Sequence, residues 1–141
     1  MENNLLLTPY IFYSIIAGYL VGSIPFGYLI FLLSGKGDIR KKGSKNIGAT
    51  NVYRLAGKKL AFLTLLLDIS KAMLVCYIVY NWYGSNAGYL TSLSIILGHM
   101  FPIWLKFRGG KGVATAFGII AIISWPLLIL ASLIWLITVK L

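Results

Sequence analysis

The sequence predicts an all-α protein, a polytopic transmembrane helix bundle of four to five helices with its N-terminus outside. Three observations carry that prediction. The 141 residues are 59% hydrophobic, with a mean hydropathy of +0.86, and only 11% are charged, against about 25% in soluble domains. The apolar residues fall in long unbroken blocks, the pattern of membrane helices. Eleven of the thirteen basic residues gather between those blocks, eight in Lys36–Lys59 and three in Lys106–Lys111. A net charge of +10 raises nucleic-acid binding as a function class, but charge this local reads as interfacial loops instead, so nucleic acid is not an expected partner. One domain, residues 1–141, is expected from the length. Cys76 is the sole cysteine and lies in an apolar run, so it reads as packing and no intramolecular disulfide is available.

The first span is Tyr10 to Leu33, uncharged over 24 residues and long enough for a hydrocarbon core of about 30 Å. It lacks the basic flank of a cleavable signal peptide. Gly18 and Gly22 stand four apart, a small-residue face for close helix packing, and Pro25 is expected to kink the second half. Leu60 to Tyr80 is the second span and carries Asp68 and Lys71. Ala87 to about Phe101 is a shorter third, holding His99 near its end and closed by Pro102. Val113 to Val139 is either one tilted helix or two short ones divided at Ser124-Trp125-Pro126.

Lysine and arginine counts orient these spans. The N-terminal tail and the 81–86 loop have none, whereas the loops at 34–59 and 105–112 hold eleven. Both basic loops are therefore expected in the cytoplasm, on one face of the membrane, where they can form one site. Two short helices in the last block would also return Lys140 to that face, which agrees better with the rule.

The first loop, GKGDIRKKGSKNIGATNVYRLAGKK, holds Ser44, Asn46, Thr50 and Asn51 among its basic residues. A polybasic lipid anchor needs only Lys and Arg; directional hydrogen-bonding groups suggest recognition of a small polar group. Arg54 suits bidentate contact with phosphate. The second loop, LKFRGGKGVATAFG, sets Gly109, Gly110 and Gly112 around Lys111. Glycine N–H groups, the start of a helix at about Val113 and a lysine charge together describe an anion nest. A turn that needs three glycines for its conformation is the alternative. The pattern is neither a Walker A loop nor a dinucleotide fingerprint. Ser44 has no histidine or carboxylate beside it in the loop, which weakens it as a nucleophile. His99, the sole histidine, is an accessory candidate as general base, against a hydrogen-bonded structural role. Asp68 and Lys71, three apart in a span, read as a neutralising pair that supports the loops from below. No metal-ligand cluster is visible.

Four stretches carry a resemblance: GSIPFGYLI (22–30), GDIRKKGSKNIGATNVYRLAGKK (37–59), DISKAML (68–74) and LGHMFPIWLKFRGGKGVATAFG (97–118). In this order they resemble the bacterial acyl-phosphate:glycerol-3-phosphate acyltransferases. The resemblance implies a multi-pass protein of the bacterial plasma (inner) membrane with seven helices and an external N-terminus. It implies transfer of an acyl group from acyl phosphate to the 1-hydroxyl of glycerol 3-phosphate, giving lysophosphatidic acid and phosphate, the first step of phospholipid synthesis. Glycerol 3-phosphate, acyl phosphate and membrane lipid are then the partners, with no cofactor and no metal. It assigns catalytic roles to Ser44, Arg54 and Lys111 and substrate binding to Asn46, Thr50, Asn51, Gly109, Gly110 and Gly112.

Two departures stand out. The family's Gly-Ser-Gly-Asn reads GSKN here, with Lys45 in place of the second glycine. If that position needs a positive φ, Lys45 is strained; if it only lies near phosphate, an extra cation is harmless. The family also continues through two more helices and a third motif, so the chain is expected to be C-terminally incomplete, with five helices of seven.

Overall fold

The computed structural model describes residues 9–140, with side chains as far as Thr138. The N-terminal tail with Glu2, and the side chain of Lys140, on which part of the orientation argument turns, lie outside the described residues. All regular structure among the described residues is helical. Two segments, Pro9–Lys36 and Lys58–Leu105, are long and apolar enough to cross a membrane, and two shorter apolar helices follow.

The first span is a broken helix rather than a continuous one. α1 (Pro9–Gly22) stops before Pro25, and α2 (Phe26–Phe31) starts after it. Proline has no N–H to give the preceding turn and disfavours helical backbone at Ile24, so the expected kink becomes a full interruption. Beyond α2 the chain runs through a π-helical turn, Leu32–Lys36, and leaves it with Gly35 and Gly37 at φ 74° and 80°.

The segment read from sequence as the loop 34–59 is not a loop throughout. It contains a 3-10 turn, Ile39–Lys41, and the helix α3 (Ala49–Ala56). The turn starts at Asp38, which accepts the Arg40 N–H at 2.9 Å and pairs side-on with its guanidinium at 3.0 and 2.8 Å. That hydrogen-bonded pair holds the Asp38 carboxyl below its usual range and raises the Arg40 guanidinium above its own. Arg40 also lies 4.9 Å over the Tyr28 ring, and Lys42 Nζ donates to the Lys36 carbonyl at 2.7 Å. Two of the eight basic residues of this segment are thus committed to its own folding.

α4 (Lys58–Met100) folds back on itself at Gly84, whose φ 82° and ψ 172° lie outside the helical region. The pairs Tyr80–Tyr89, Cys76–Ser92 and Lys71–His99 then face one another across an antiparallel hairpin. The 81–86 connection is accordingly tighter than the loop expected there. α1 lies along the returning arm. Gly18 faces Thr91 and Ser94, Gly22 faces the Ile95 backbone, and Gly98 faces the Tyr19 carbonyl, so glycines on both helices permit the close approach. α5 (Val113–Ile123) packs by Gly118 against Ile69 and Ala72 of the outgoing arm, and Ile119 joins Ala72, Cys76 and Ile95 in the bundle core. The last apolar block is two helices. Ser124 is extended (φ −161°) and α6 (Trp125–Lys140) begins next, with Pro126 in its first turn, where a missing N–H costs nothing.

A second core closes one end of the bundle: Phe31, Ile39, Ile47, Val52, Ala61 and Leu105. Leu105 comes from the second basic segment and Ile39, Ile47 and Val52 from the first. The two segments therefore fold against each other at the same end of the bundle.

Candidate functional site

The first basic segment is organised around Asn51. This side chain is 1% exposed. Its amide donates to the Asn46 carbonyl at 2.8 Å and to the Lys42 carbonyl at 3.2 Å, and its oxygen accepts the Ser44 N–H at 3.0 Å. Both amide protons are used, so Asn51 fastens the loop to α3. Asn46 accepts the Gly48 N–H at 2.8 Å and shapes the entry to that helix. Ser44, Thr50 and Arg54 are left exposed around this scaffold, and the side chains of Thr50 and Arg54 have no hydrogen-bonding partner among the described residues. Val52, two residues before Arg54 and so on the opposite face of the helix, presses α3 onto the closing core, which holds the Arg54 side of the helix outward.

Lys45 has φ +60°, so the position is one that wants a glycine. The strained alternative of the two raised by the sequence is the one realised. An L side chain there costs about 1–2 kcal/mol, partly offset by the greater unfolded freedom of glycine. Lys45→Gly is expected to stabilise the fold by about 0.5–1 kcal/mol, read as a higher midpoint of thermal unfolding in lipid. An unchanged midpoint would remove the strain argument.

The second segment has a reason for each glycine. A side chain on Gly109 would run into the His99 and Met100 carbonyls, and one on Gly110 into the His99 ring at Nε2; Gly112 sits at φ +78°. The Gly109 N–H donates to Met100 O and the Gly110 N–H to His99 O, both at 3.1 Å. This corrects the expected anion nest. Two of its predicted N–H donors are spent on carbonyls at the end of α4, because a helix C-terminus leaves acceptors that must be satisfied. The donors that remain are the N–H groups of Lys111 to Ala114, which have no acceptor among the described residues. They surround the N-terminus of α5, next to the exposed Lys111 side chain.

Beneath this turn lies a buried ionic cluster. Lys71 Nζ is 2.8 Å from Asp68 Oδ1, 2.8 Å from the Ile24 carbonyl and 3.1 Å from His99 Nδ1. The i,i+3 pair expected from sequence is present, as a charge contact. Its additional partners were missed: the carbonyl exposed by the break before Pro25, and the sole histidine. The sequence did hold a signal for the first. A proline within a span frees carbonyls that something must satisfy, and a lysine in the next span is suited to do so. An ammonium group has only donors, so the 3.1 Å contact with Lys71 favours an accepting His99 Nδ1 and a ring proton on Nε2, under Gly110, whereas the Asp68 carboxylate 3.5 Å from the same Nδ1 favours the other tautomer. With one nitrogen taken and the side chain 4% exposed, His99 is a hydrogen-bonded member of the framework. No group of three metal-ligating side chains occurs among the described residues.

An apolar groove of about 500 Å³ runs from Lys111 and Gly112 past Val113, Phe117 and Ile120 to Trp135 on α6. One end is cationic and rich in N–H donors. The rest is hydrocarbon. Such a surface fits an amphiphile with an anionic head and a long apolar tail.

Comparison with known proteins agrees with this chemistry. A model of the family described as "Glycerol-3-phosphate acyltransferase" matches residues 12–141. A glycerol-3-phosphate acyltransferase of Cereibacter sphaeroides is 48% identical over 126 residues, covering 89% of this chain and 63% of the relative. That of Rhodopseudomonas palustris is 47% identical over 125 residues, covering 89% and 64%. The chain thus spans a little under two thirds of the length of these relatives. Among solved structures, PlsY (YgiH), an integral membrane glycerol 3-phosphate acyltransferase, superposes in its glycerol 3-phosphate form with a TM-score of 0.85 at 41% identity, over 90% of this chain and 64% of that one. Its lysophosphatidic acid form gives 0.82 at 40%.

Proposed function

We propose, from the premise that this chain belongs to the glycerol-3-phosphate acyltransferase family, that it takes part in acyl transfer from acyl phosphate to the 1-hydroxyl of glycerol 3-phosphate. The observation that carries this reading is the groove that joins a hydrocarbon wall to Lys111 and the free N–H groups of α5. In it the acyl chain of the donor lies against α5 and α6 while its phosphate meets Lys111. Arg54, exposed on α3, takes the phosphate of the acceptor bidentately. Ser44, beside it on the Asn51 scaffold, orients the acceptor hydroxyl, and Asn46, Thr50 and the turn of Gly109, Gly110 and Gly112 complete the binding surface.

The acceptor hydroxyl oxygen attacks the acyl carbon, the bond from that carbon to the phosphate oxygen breaks, and the hydroxyl proton leaves with the phosphate. The products are lysophosphatidic acid and inorganic phosphate. Acyl phosphate is an activated donor, so alignment and neutralisation of phosphate charge are the main demands on the protein. The ligands named for the two PlsY forms support glycerol 3-phosphate as substrate and lysophosphatidic acid as product. Loop charge supports a multi-pass placement in the bacterial inner membrane, with the N-terminus outside and residues 34–59 and 105–112 in the cytoplasm.

The test is acyl transfer by the full 141-residue chain in lipid, with acyl phosphate and labelled glycerol 3-phosphate. Turnover is expected, falling by about a hundredfold or more in Arg54→Ala. Ser44→Ala should lose turnover while it still binds glycerol 3-phosphate. Binding without turnover in the unmodified chain would reduce the reading to recognition of phosphoesters, and full activity in the Ser44 variant would take Ser44 out of the site.

A further inference from the structure

Lys71 is 17 residues from Arg54 and 38 from Gly109, the nearest residues on either side to which a substrate role has been given, and it is 6% exposed. Yet each of its contacts leads to a different part of the framework. Ile24 belongs to the break between α1 and α2, Asp68 to the outgoing arm of α4, and His99 to the end of the returning arm. His99 in turn meets the glycine turn twice, accepting the Gly110 N–H at its carbonyl and lying by its ring Nε2 against the Gly110 Cα. A continuous path of polar contact and close packing therefore runs from the helix break through Lys71 and His99 to Gly110, one residue before Lys111.

We propose that Lys71 is a positioning residue: through His99 it holds the glycine turn in place and so sets where Lys111 and the first N–H groups of α5 stand. Three features make the path stiff. Two ammonium protons face acceptors, the Ile24 carbonyl and His99 Nδ1, and the Asp68 carboxylate supplies an opposite charge at 2.8 Å. The lysine contact at Nδ1 favours one tautomer of the histidine ring. Gly110 has no side chain to shift, so its backbone rests directly on that ring. Without Lys71 the His99 ring is free to turn about its side-chain torsions, and the surface on which Gly110 rests moves with it. The consequence for phosphate binding rests on the function proposed above; the consequence for the turn does not.

The test uses the full chain in lipid nanodiscs and a charge-balanced variant, Asp68→Asn with Lys71→Met, which leaves no unpaired buried ion. As the chain has one histidine, nitrogen-15 labelling of histidine reports His99 alone. The unmodified chain should show the Nε2–H tautomer, and the variant a mixture of both. Amide exchange at Gly110 should accelerate by about tenfold or more in the variant, and glycerol 3-phosphate should bind about tenfold more weakly, the scale on which losing the support behind a binding group acts. Val79→Ala, a destabilising change in the far cluster with Ile11 and Ala87, should leave Gly110 exchange and the His99 signals as they are; a merely structural role for Lys71 would make the two variants alike. His99→Phe, which keeps a ring under Gly110 and removes the acceptor, gives a second route to the same loosening. Unchanged Gly110 exchange in both the charge-balanced variant and His99→Phe would overturn the proposal. If the unmodified chain binds no glycerol 3-phosphate, the substrate reading falls, and the exchange and tautomer measurements still decide the role of Lys71.

Discussion

Lys71→Met alone is expected to destabilise the folded chain by about 3–5 kcal/mol, because it leaves the Asp68 carboxylate buried without its partner. Asp68 is 2% exposed and its Oδ1 has Lys71 as the nearest charge. The Ile24 carbonyl, at the break that Pro25 forces, loses a donor at the same time. Adding Asp68→Asn should recover much of the loss, since an amide is far less costly to bury than an unpaired ion. The measurement is unfolding of both variants in mixed lipid–detergent micelles, followed by helical circular dichroism. Equal stability of the single and the double variant would mean that the pair contributes by shape and not by charge.

Gly22→Val is expected to cost about 3 kcal/mol or more, near the upper end of what overpacking does. A Cβ at this position would meet the oxygen, Cα and carbonyl carbon of Ile95. All three are backbone atoms of the facing arm, so no rotamer change relieves the clash and α1 must move away from α4. Helix association in lipid depends on close packing of just such small residues. Gly35→Val makes a useful contrast in space alone, with nothing near a Cβ there, although its positive φ adds a separate strain. Crosslinking between cysteines placed on α1 and the returning arm would read the separation directly. Retained crosslinking and retained stability in Gly22→Val would show that the interface is looser than it stands.

Much of the architecture is legible in the order of residues because the membrane imposes simple rules. A backbone in hydrocarbon must satisfy its own hydrogen bonds, so long apolar runs become helices, and the basic runs between them become the polar end of the bundle. The Gly18–Gly22 face and the Asp68–Lys71 pair follow from local spacing, whereas the division at Ser124 was one of two alternatives until the structure showed two helices. α3 was harder to read. Its residues are mixed in polarity, and only burial of Val52 against Ala61 and its neighbours, with Asn51 hydrogen-bonded into the preceding loop, gives the short helix a reason to form.

Sequence by itself determined the helical membrane class, the charge of the two segments, and the residue types that suit phosphate: Ser44, Arg54, Lys111 and the glycines around it. The tertiary structure alone decided what those glycines are for. Gly109 and Gly110 lie against the end of α4, and their N–H groups are consumed there. It alone brought Ile24, Asp68, Lys71 and His99 to one buried point from three separate stretches of chain. The physical reason is range. Helix propensity and charge are properties of neighbours along the chain, whereas a carbonyl freed by Pro25 is satisfied by whichever donor folding carries to it, here a lysine 47 residues away.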